Sequence, residues 1–233
     1  MLENIKINNV LFLDVETAPI IYRYKDLDPK IKPLWDSKFR FQQAETPESL
    51  YKKAGIYAEF AKIICISVGY FNDGTFRLKS FAGDTEKDVL ENFAGLLNKH
   101  FNRKEHLLCA HNGKEFDFPF LCRRMLINGV KLPKTLNISG KKPWEINHID
   151  TMELWKFGDY KNFTSLNLLA SVFNIPTPKD DMDGSDVARV YWEEKNLKRI
   201  ITYCQKDVLT VAQLLLRFMG QPLIDNKDVV ITK

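Results

Sequence analysis

The sequence predicts a single α/β domain, and three observations support this prediction. Short apolar runs rich in β-branched residues alternate with segments whose apolar residues recur every three or four positions. A chain of 233 residues fits one domain of this class and is long enough for a substantial core. Hydrophobic residues at 45% and charged residues at 27%, with few Gly and Pro, are typical of a globular protein, which excludes disordered, collagen-like and coiled-coil chains.

Composition also argues against a membrane or secreted protein. No uninterrupted apolar run reaches the roughly 18 residues that a membrane span needs, and the first residues lack the apolar stretch of a secretory signal. We therefore expect a cytoplasmic protein with no membrane partner. The four cysteines lie far apart in apolar surroundings, so buried free thiols are expected instead of a disulfide framework or a zinc site. The net charge of +4 does not by itself indicate a partner.

The first element along the chain is a buried strand. Residues 10–14, VLFLD, are an apolar β-rich run that the segment ETAP closes. From about residue 20 to residue 59, three prolines, mixed charges and isolated aromatic residues interrupt any regular period. We therefore predict an insertion at about 20–59 that contains at most short helices.

A hairpin, a helix and a strand follow the insertion. Residues 62–71 and 75–81 flank an Asn-Asp-Gly turn, which predicts two antiparallel strands. Apolar residues at helical spacing predict a helix from residue 84 or 85 to about residue 101. Residues 106–110 are a short apolar run and predict another buried strand.

The second half of the chain is mainly helical. A helix is predicted over 117–126, with Gly129 closing the element. The segment HIDTMELW indicates either a strand end or a helix start, and both interpretations stay open. Further helices are predicted from apolar spacing over residues 165–173, 185–194 and 197–219.

Three short patterns contain residues that can carry chemistry. Asp14 and Glu16 lie two apart at the end of an apolar strand, so both carboxylates lie on the same side of the backbone. Asp117 stands where a loop turns into a helix, and a capping role explains it equally well. Tyr203 and Asp207 are neighbours on one helix face, where a local polar pair is the simpler interpretation. Each pattern alone is weak evidence for a site.

Taken in order, these patterns resemble a known superfamily. LDVET at residues 13–17, N-x-x-x-F-D from Asn112 to Asp117 and Y-x-x-x-D from Tyr203 to Asp207 resemble the three motifs of the DEDD 3′–5′ exonucleases. By this resemblance, Tyr203 four residues before Asp207 is typical of the tyrosine subgroup. The surrounding sequence is similar to stand-alone relatives of the proofreading domain of family B DNA polymerases. The resemblance implies a ribonuclease H-like α/β fold, with a mixed five-stranded sheet flanked by helices and residues 1–233 as one exonuclease domain.

The resemblance also implies a reaction and its cofactors. Members hydrolyse phosphodiester bonds from the 3′ end, release nucleoside 5′-monophosphates and use two ions of Mg²⁺ or Mn²⁺, which are hard cations that prefer oxygen ligands. By resemblance, Asp14 bridges both ions, Glu16 and Asp207 complete the site near the attacking water, and Asp117 holds the second ion. Tyr203 orients that water. Four carboxylates and two dications sum to a formal charge of zero.

Substrate contacts follow from the same resemblance, which assigns Thr17, Asn112 and Phe116 to the terminal nucleotides. The expected substrate is single-stranded DNA or a frayed 3′ end. A 3′–5′ exoribonuclease and a catalytically weak module that only binds nucleic-acid ends stay open as alternatives. An association with a DNA polymerase or a repair complex is a further expectation.

Several other polar and aromatic residues have two interpretations. The insertion interleaves aromatic and cationic side chains, namely Trp35, Phe39, Phe41, Lys32, Lys38 and Arg40. They either form a surface that stacks on bases or pack down onto the domain. His111 and His148 are expected to be hydrogen-bonded core residues and not ligands. A loop or helix-cap role is expected for four acidic residues, Asp150, Asp180, Asp181 and Asp183.

Overall fold

A six-stranded mixed sheet forms the centre of the structure. The computed structural model describes residues 2–42, 44–159, 161, 163–176 and 182–232, so Asp180 and Asp181 lie outside the described residues. The strands are β1 (Val10–Pro19), β2 (Ala61–Asn72), β3 (Thr75–Ala82), β4 (Leu107–Ala110), β5 (Ile149–Asp150) and β6 (Val229–Ile231). Their order is β5-β4-β1-β2-β3-β6. β1–β2 and β2–β3 are antiparallel, whereas β1–β4, β4–β5 and β3–β6 are parallel.

Helices cover both faces of this sheet. They are α1 (Lys32–Lys38), α2 (Pro47–Leu50), α3 (Glu86–His100), α4 (Asp117–Ile127), α5 (Thr151–Lys156), α6 (Leu166–Val172), α7 (Val187–Arg189) and α8 (Leu197–Phe218). A π-helical turn, Val190–Glu194, extends α7. The 3₁₀ turns are Leu2–Asn4, Ile7–Asn9, Tyr24–Asp26, Tyr51–Ile56, Lys134–Leu136, Pro143–Glu145 and Asn226–Asp228. The mixed α/β class is confirmed, and the sheet has β6 in addition to the five expected strands.

β1 is longer than the sequence predicts. It continues through ETAP because these residues pair with β2, from Phe12 opposite Gly69 to Pro19 opposite Ala61. A register shift between Glu16 and Thr17 marks a bulge within this pairing. Asp14 and Glu16 therefore lie inside a strand and not at its end.

The side chains of β1 divide the core into two layers. Leu11, Leu13 and Val15 pack with α3 and α4 on one face of the sheet. Val10 and Phe12 pack with α8 on the other face. Successive side chains of a strand point to opposite faces of the sheet, so the position of each polar residue in β1 determines which of the two layers its side chain faces.

The predicted hairpin between β2 and β3 is confirmed. Asp73 and Gly74 have φ values of 49° and 77°, which a turn with two left-handed central residues requires. The helix α3 also begins and ends within a few residues of its predicted bounds. Both interpretations of HIDTMELW are correct, because the segment contains the end of strand β5 and the start of helix α5.

An ion pair within the protein interior fixes α4 against α3. Arg124 Nη2 lies 2.5 Å from Glu86 Oε2, and both side chains are buried. Glu86 Oε1 also accepts the Ile63 N–H of β2 at 2.8 Å. The pair thereby holds α4 in a fixed position relative to the sheet.

In the insertion at 20–59, the described residues contain only α1, α2 and short turns, as their broken pattern predicts. Trp35 is fully buried, and its Nε1 donates to the carbonyl of Pro47 at 2.7 Å. Phe39 is also buried, with its ring centroid 4.5 Å from that of Trp35. The base-stacking interpretation is therefore wrong for these two residues, whose rings pack inside the protein. Phe41 alone of the three aromatic residues is exposed.

The cysteines are free thiols, as expected, and three of them are buried. Within the described residues, no helix combines the length and the apolar character that crossing a bilayer requires. Asp183 has the local role predicted for it, because its Oδ1 accepts the Ser185 N–H at 2.7 Å.

Candidate active site

The site begins with two carboxylates on one face of β1. Asp14 and Glu16 continue the even-numbered series of Val10 and Phe12, so their side chains face the layer that contains α8. The pairing of β1 with β4 extends only to Phe12 opposite Cys109. The two carboxylates thus lie just beyond the end of β4, at the carboxyl edge of the parallel strands, where ligands bind in open α/β sheets.

The loop that follows β4 brings a third carboxylate to this edge. Asp117 is the first residue of α4, and its side chain is buried. Phe116 occupies the N-cap position, so capping does not account for Asp117. Burial raises the pKa of Asp117 above its ordinary value, and the charge of Asp14 raises it further, so the two acids lie close together.

The shape of this loop depends on Asp150. Its buried carboxylate accepts the N–H groups of Met152 and Glu153 at 2.9 and 3.3 Å, which confirms the predicted helix cap. It also accepts the N–H of Asn112 at 2.9 Å and that of Lys114 at 3.0 Å. One side chain therefore joins the start of α5 to the loop that leads to Asp117.

The loop also passes close to the protein core. A Cβ atom on Gly113 would lie 2.5 Å from the Cβ of Ala110 and 3.1 Å from Cζ of Phe118. Asn112 has a φ of 61°, in the left-handed region that Asn tolerates better than most residues. These two residues allow the tight path of the loop.

α8 supplies the remaining polar residues. Its apolar stripe, which includes Cys204 and Val208, is buried against the sheet. Tyr203 and Asp207 lie one turn apart at the border of that stripe, and their side chains are hydrogen-bonded. Burial, together with the charges of Asp207, Glu16 and Asp14, raises the pKa of Tyr203 far above its ordinary value, so the phenol stays protonated at neutral pH.

Burial and mutual repulsion dominate the electrostatics of the carboxylates. Burial raises the pKa of Asp14 to about 6. The pKa of Glu16 is well above its ordinary value because of burial and the charges of Asp14 and Asp207. Burial and the charges of Asp14 and Asp150 raise the pKa of Asp117 as well. The charges that raise the pKa values of Glu16 and Asp117 are those of other acids, so a bound cation would relieve their repulsion.

The donor set fits divalent metal ions. Asp14 Oδ2 is buried and has no hydrogen-bond partner among the described residues. One oxygen of Asp14, one of Glu16 and Cys204 Sγ lie within 4.8 Å of one another. The thiol of Cys204 donates to the backbone carbonyl of Asp14 at 3.4 Å, and hard ions prefer the oxygens. The acidic group is thus a candidate metal site. The apolar setting of Cys204 in the sequence gave no signal of this position.

The structure gives the three expected substrate-contact residues different environments. The hydroxyl of Thr17 donates to the carbonyl of Gly55 at 2.7 Å and ties β1 to the 3₁₀ turn Tyr51–Ile56. Asn112 is half-buried and binds Asp150 through its backbone. The ring of Phe116 lies 5.3 Å from that of Phe120. Their contacts with substrate stay predictions.

The two histidines have the internal roles expected for them. His111 Nδ1 is 2.9 Å from Thr151 Oγ1, and its Nε2 is 2.9 Å from the carbonyl of Thr164. His148 Nδ1 accepts the Leu108 N–H at 3.2 Å. Burial lowers the pKa of both imidazoles, and both act as core hydrogen-bonding groups.

Comparisons with known proteins agree with this geometry. A family profile described as "Predicted 3'-5' exonuclease related to the exonuclease domain of PolB" matches residues 56–225, a range that includes Asp117, Tyr203 and Asp207. A DNA polymerase of Pyrococcus glycovorans is 22% identical over 210 residues, which cover 76% of this chain and 26% of that protein.

A solved structure has a similar fold. The family B DNA polymerase of Pyrobaculum calidifontis aligns with a TM-score of 0.51 and 16% identity over 90% of this chain and 24% of that chain. The chain thus spans about a quarter of the length of either relative. At this identity the likeness shows the fold, and it confirms the expected ribonuclease H-like α/β architecture.

Proposed function

Because the chain belongs to the family of predicted 3′–5′ exonucleases related to the exonuclease domain of PolB, we propose that it shortens single-stranded DNA or frayed ends from the 3′ terminus. The products are nucleoside 5′-monophosphates. The observation that carries this proposal is the convergence of Asp14, Glu16, Asp117, Tyr203 and Asp207 from three separate elements. This set includes the tyrosine and so supports the tyrosine subgroup.

Four carboxylates are proposed to hold two divalent cations, Mg²⁺ or Mn²⁺. When bound, such ions supply an activated water and stabilise the departing 3′ oxygen. Asp14 interacts with both Glu16 and Asp117, and its buried Oδ2, which has no hydrogen-bond partner among the described residues, would be available to a bound cation. Glu16 and Asp207 lie on the side next to Tyr203, whereas Asp117 lies on the side of the loop.

Tyr203 is proposed to orient the attacking water. Its raised pKa keeps the hydroxyl protonated, so it acts through hydrogen bonding and not as a base. The side-chain bond to Asp207 limits where the hydroxyl can point. The water is therefore held by two groups that belong to consecutive turns of α8.

Incubation of the protein with 5′-labelled DNA and RNA oligonucleotides and Mg²⁺ or Mn²⁺ tests the proposal. We expect a ladder that shortens from the 3′ end with DNA, and none with EDTA. Asp14→Asn should give no ladder, and Asp88→Asn on the exposed side of α3 is the matched control. Release of the labelled 5′ nucleotide first, or cleavage at internal sites, would contradict the proposal.

The alternatives are outcomes of the same experiment. A faster ladder with RNA would identify an exoribonuclease. Binding of ends without any ladder would identify a module that only binds them, although the complete set of five side chains favours catalysis. An association with a DNA polymerase or a repair complex, the single-domain organisation and the cytoplasmic location stay predictions.

A further inference from the structure

We propose that a pocket on α8 binds a backbone phosphate of the nucleic-acid strand other than the phosphate that is cleaved; this rests on the proposed function. The pocket has a volume of about 340 Å³, at the lower end of the range for ligand sites. Its lining residues are Met182, Asn196, Lys198, Arg199, Thr202, Tyr203 and Lys206.

The charge of the lining indicates an anionic ligand. Lys198, Arg199 and Lys206 are cationic, and the described lining contains no Asp or Glu. Arg199 forms an ion pair with Glu194 at 2.7 Å, which offsets part of its charge. Lysine ammonium groups bind phosphates as point charges. Nothing in the described lining offers a second aromatic ring on which a base could be stacked.

The helix itself adds to this positive potential. Asn196 caps α8, and its side chain accepts the Arg199 N–H at 3.1 Å. The pocket therefore lies along the first turns of a 22-residue helix, at the positive end of its dipole. Lys198, Thr202 and Lys206 follow one another at intervals of four, so they line one face of α8 over two turns.

Tyr203 connects this pocket to the acidic site. Tyr203 is one of the lining residues of the pocket, and its hydroxyl is hydrogen-bonded to Asp207 and close to the charges of Glu16 and Asp14. A strand whose scissile phosphate lies at the carboxylates thus has a cation-lined pocket directly beyond the tyrosine. A phosphate from the same strand is the anion that is always present there during the proposed reaction.

Steady-state kinetics of Lys198→Ala/Lys206→Ala test the pocket. The substrates are oligonucleotides and the p-nitrophenyl ester of thymidine 5′-monophosphate, whose single phosphate is the one that is cleaved. We expect KM for a 12-nucleotide strand to rise about tenfold, with a far smaller change for the ester. In a plot of the logarithm of strand affinity against the logarithm of salt concentration, the line should become less steep. Its slope should be smaller in magnitude by about 0.7 for each phosphate that the variant no longer binds.

Two further variants make the result specific. Lys198→Arg/Lys206→Arg keeps the charge and should restore most of the affinity for the strand. Lys99→Ala/Lys104→Ala removes the same charge at the end of α3 and in the loop after it, on the opposite face of the sheet, and should leave strand affinity near wild type. Equal reductions of affinity in the two alanine pairs would show a general charge effect and overturn the proposal.

Other outcomes would also overturn it. If KM for the ester rises as much as KM for the strand, the lysines act on the acidic site and not on a separate phosphate. If inhibition by thymidine 5′-monophosphate weakens in parallel with strand binding, the pocket holds the product phosphate instead. An unchanged affinity and salt slope would exclude any phosphate contact.

Failure of the proposed function would be distinguishable. It would appear as a wild-type protein that releases no nucleotide from any substrate. Fluorescence anisotropy of a labelled strand, measured in EDTA so that no turnover occurs, tests strand binding at the pocket independently of catalysis. The proposal requires that Lys198→Ala/Lys206→Ala bind the labelled strand more weakly than the wild type does. Equal affinity for the strand would overturn it.

Discussion

At the scale of single residues, the feature that governs the candidate site is Asp14. It has a buried oxygen without a partner among the described residues, and two of the other acids have their pKa raised by its charge. Such a residue is costly to bury unless a cation binds it. The three sequence motifs identify the acids because their residue types and order are distinctive. They give no signal for Asp150, whose partners lie up to 38 residues away.

We predict that Asp14→Asn and Asp207→Asn each reduce hydrolysis by at least about 10³-fold, because each removes a proposed direct metal ligand. The fold should persist, since the neutral amide relieves repulsion among the remaining carboxylates. Single-turnover assays at saturating Mg²⁺ and circular dichroism measure both effects. Near wild-type turnover in either variant would contradict the two-metal assignment.

For Tyr203→Phe we expect the chemical step to slow by about 10²-fold, because only the hydroxyl that orients the water is removed. The ring keeps its packing on α8, so affinity for Mn²⁺ should not change. A titration followed by electron paramagnetic resonance, beside single-turnover rates, separates the two quantities. Weaker Mn²⁺ binding with an intact chemical step would instead make Tyr203 a support for Asp207.

At the scale of elements, the site depends on how three segments meet. Most segments are predictable because they have a clear period, such as the alternation in β3 and the apolar stripe of α8. The length of β1 is not predictable from the sequence, because its polar end is a strand only through pairing with β2. The loop before α4 likewise depends on Asp150 and on the close packing at Gly113, which are tertiary contacts.

Asp150→Ala should therefore affect both stability and metal binding. The change leaves four backbone N–H groups without their acceptor and should cost about 2 to 4 kcal/mol of unfolding free energy. Because the loop carries Asp117, the Mg²⁺ concentration for half-maximal activity should rise about tenfold. Urea unfolding and Mg²⁺ titration of activity measure these effects.

Thr46→Ala provides the matched control for Asp150. Thr46 caps α2 by accepting the Ser49 N–H at 3.1 Å and lies outside the loop that leads to Asp117. This variant should lose about 1 kcal/mol of stability and keep its Mg²⁺ requirement. If Asp150→Ala also kept its Mg²⁺ requirement, Asp150 would be a helix cap and nothing more.

At the scale of the whole molecule, the α/β class and the order of elements are predictable, whereas the sixth strand is not. β6 has three residues and pairs with β3. A run this short has no period of its own. The segment before it is held by Gln213 of α8, whose side chain exchanges hydrogen bonds with the backbone of Ile224 at 2.8 and 3.1 Å. The pocket on α8 is equally hidden in the sequence, because its lysines look like a solvated helix face.

The acidic site also joins β1, α4 and α8, so its ionisation should influence the stability of the entire fold. Burial raises the pKa of Asp14 from its ordinary 3.8 to about 6, and the pKa values of Glu16 and Asp117 shift in the same direction. The folded, metal-free protein therefore binds these protons more tightly than the unfolded chain does. The resulting stability is fully present below pH 3.8 and is lost as the pH rises through about 6.

We accordingly predict that the site's contribution to unfolding free energy in EDTA falls by about 2 kcal/mol between pH 4 and pH 7 for Asp14 alone. Thermal unfolding of the wild type and of Asp14→Asn over this range isolates the effect, because the amide does not titrate and the variant should lose less stability. At pH 7, Mg²⁺ at about 100 times its dissociation constant should restore roughly 2.7 kcal/mol in the wild type. Parallel pH profiles for the two proteins would show that the carboxyl group of Asp14 does not have a raised pKa in the folded state. A melting temperature that does not respond to Mg²⁺ would show that the folded protein does not bind the ion.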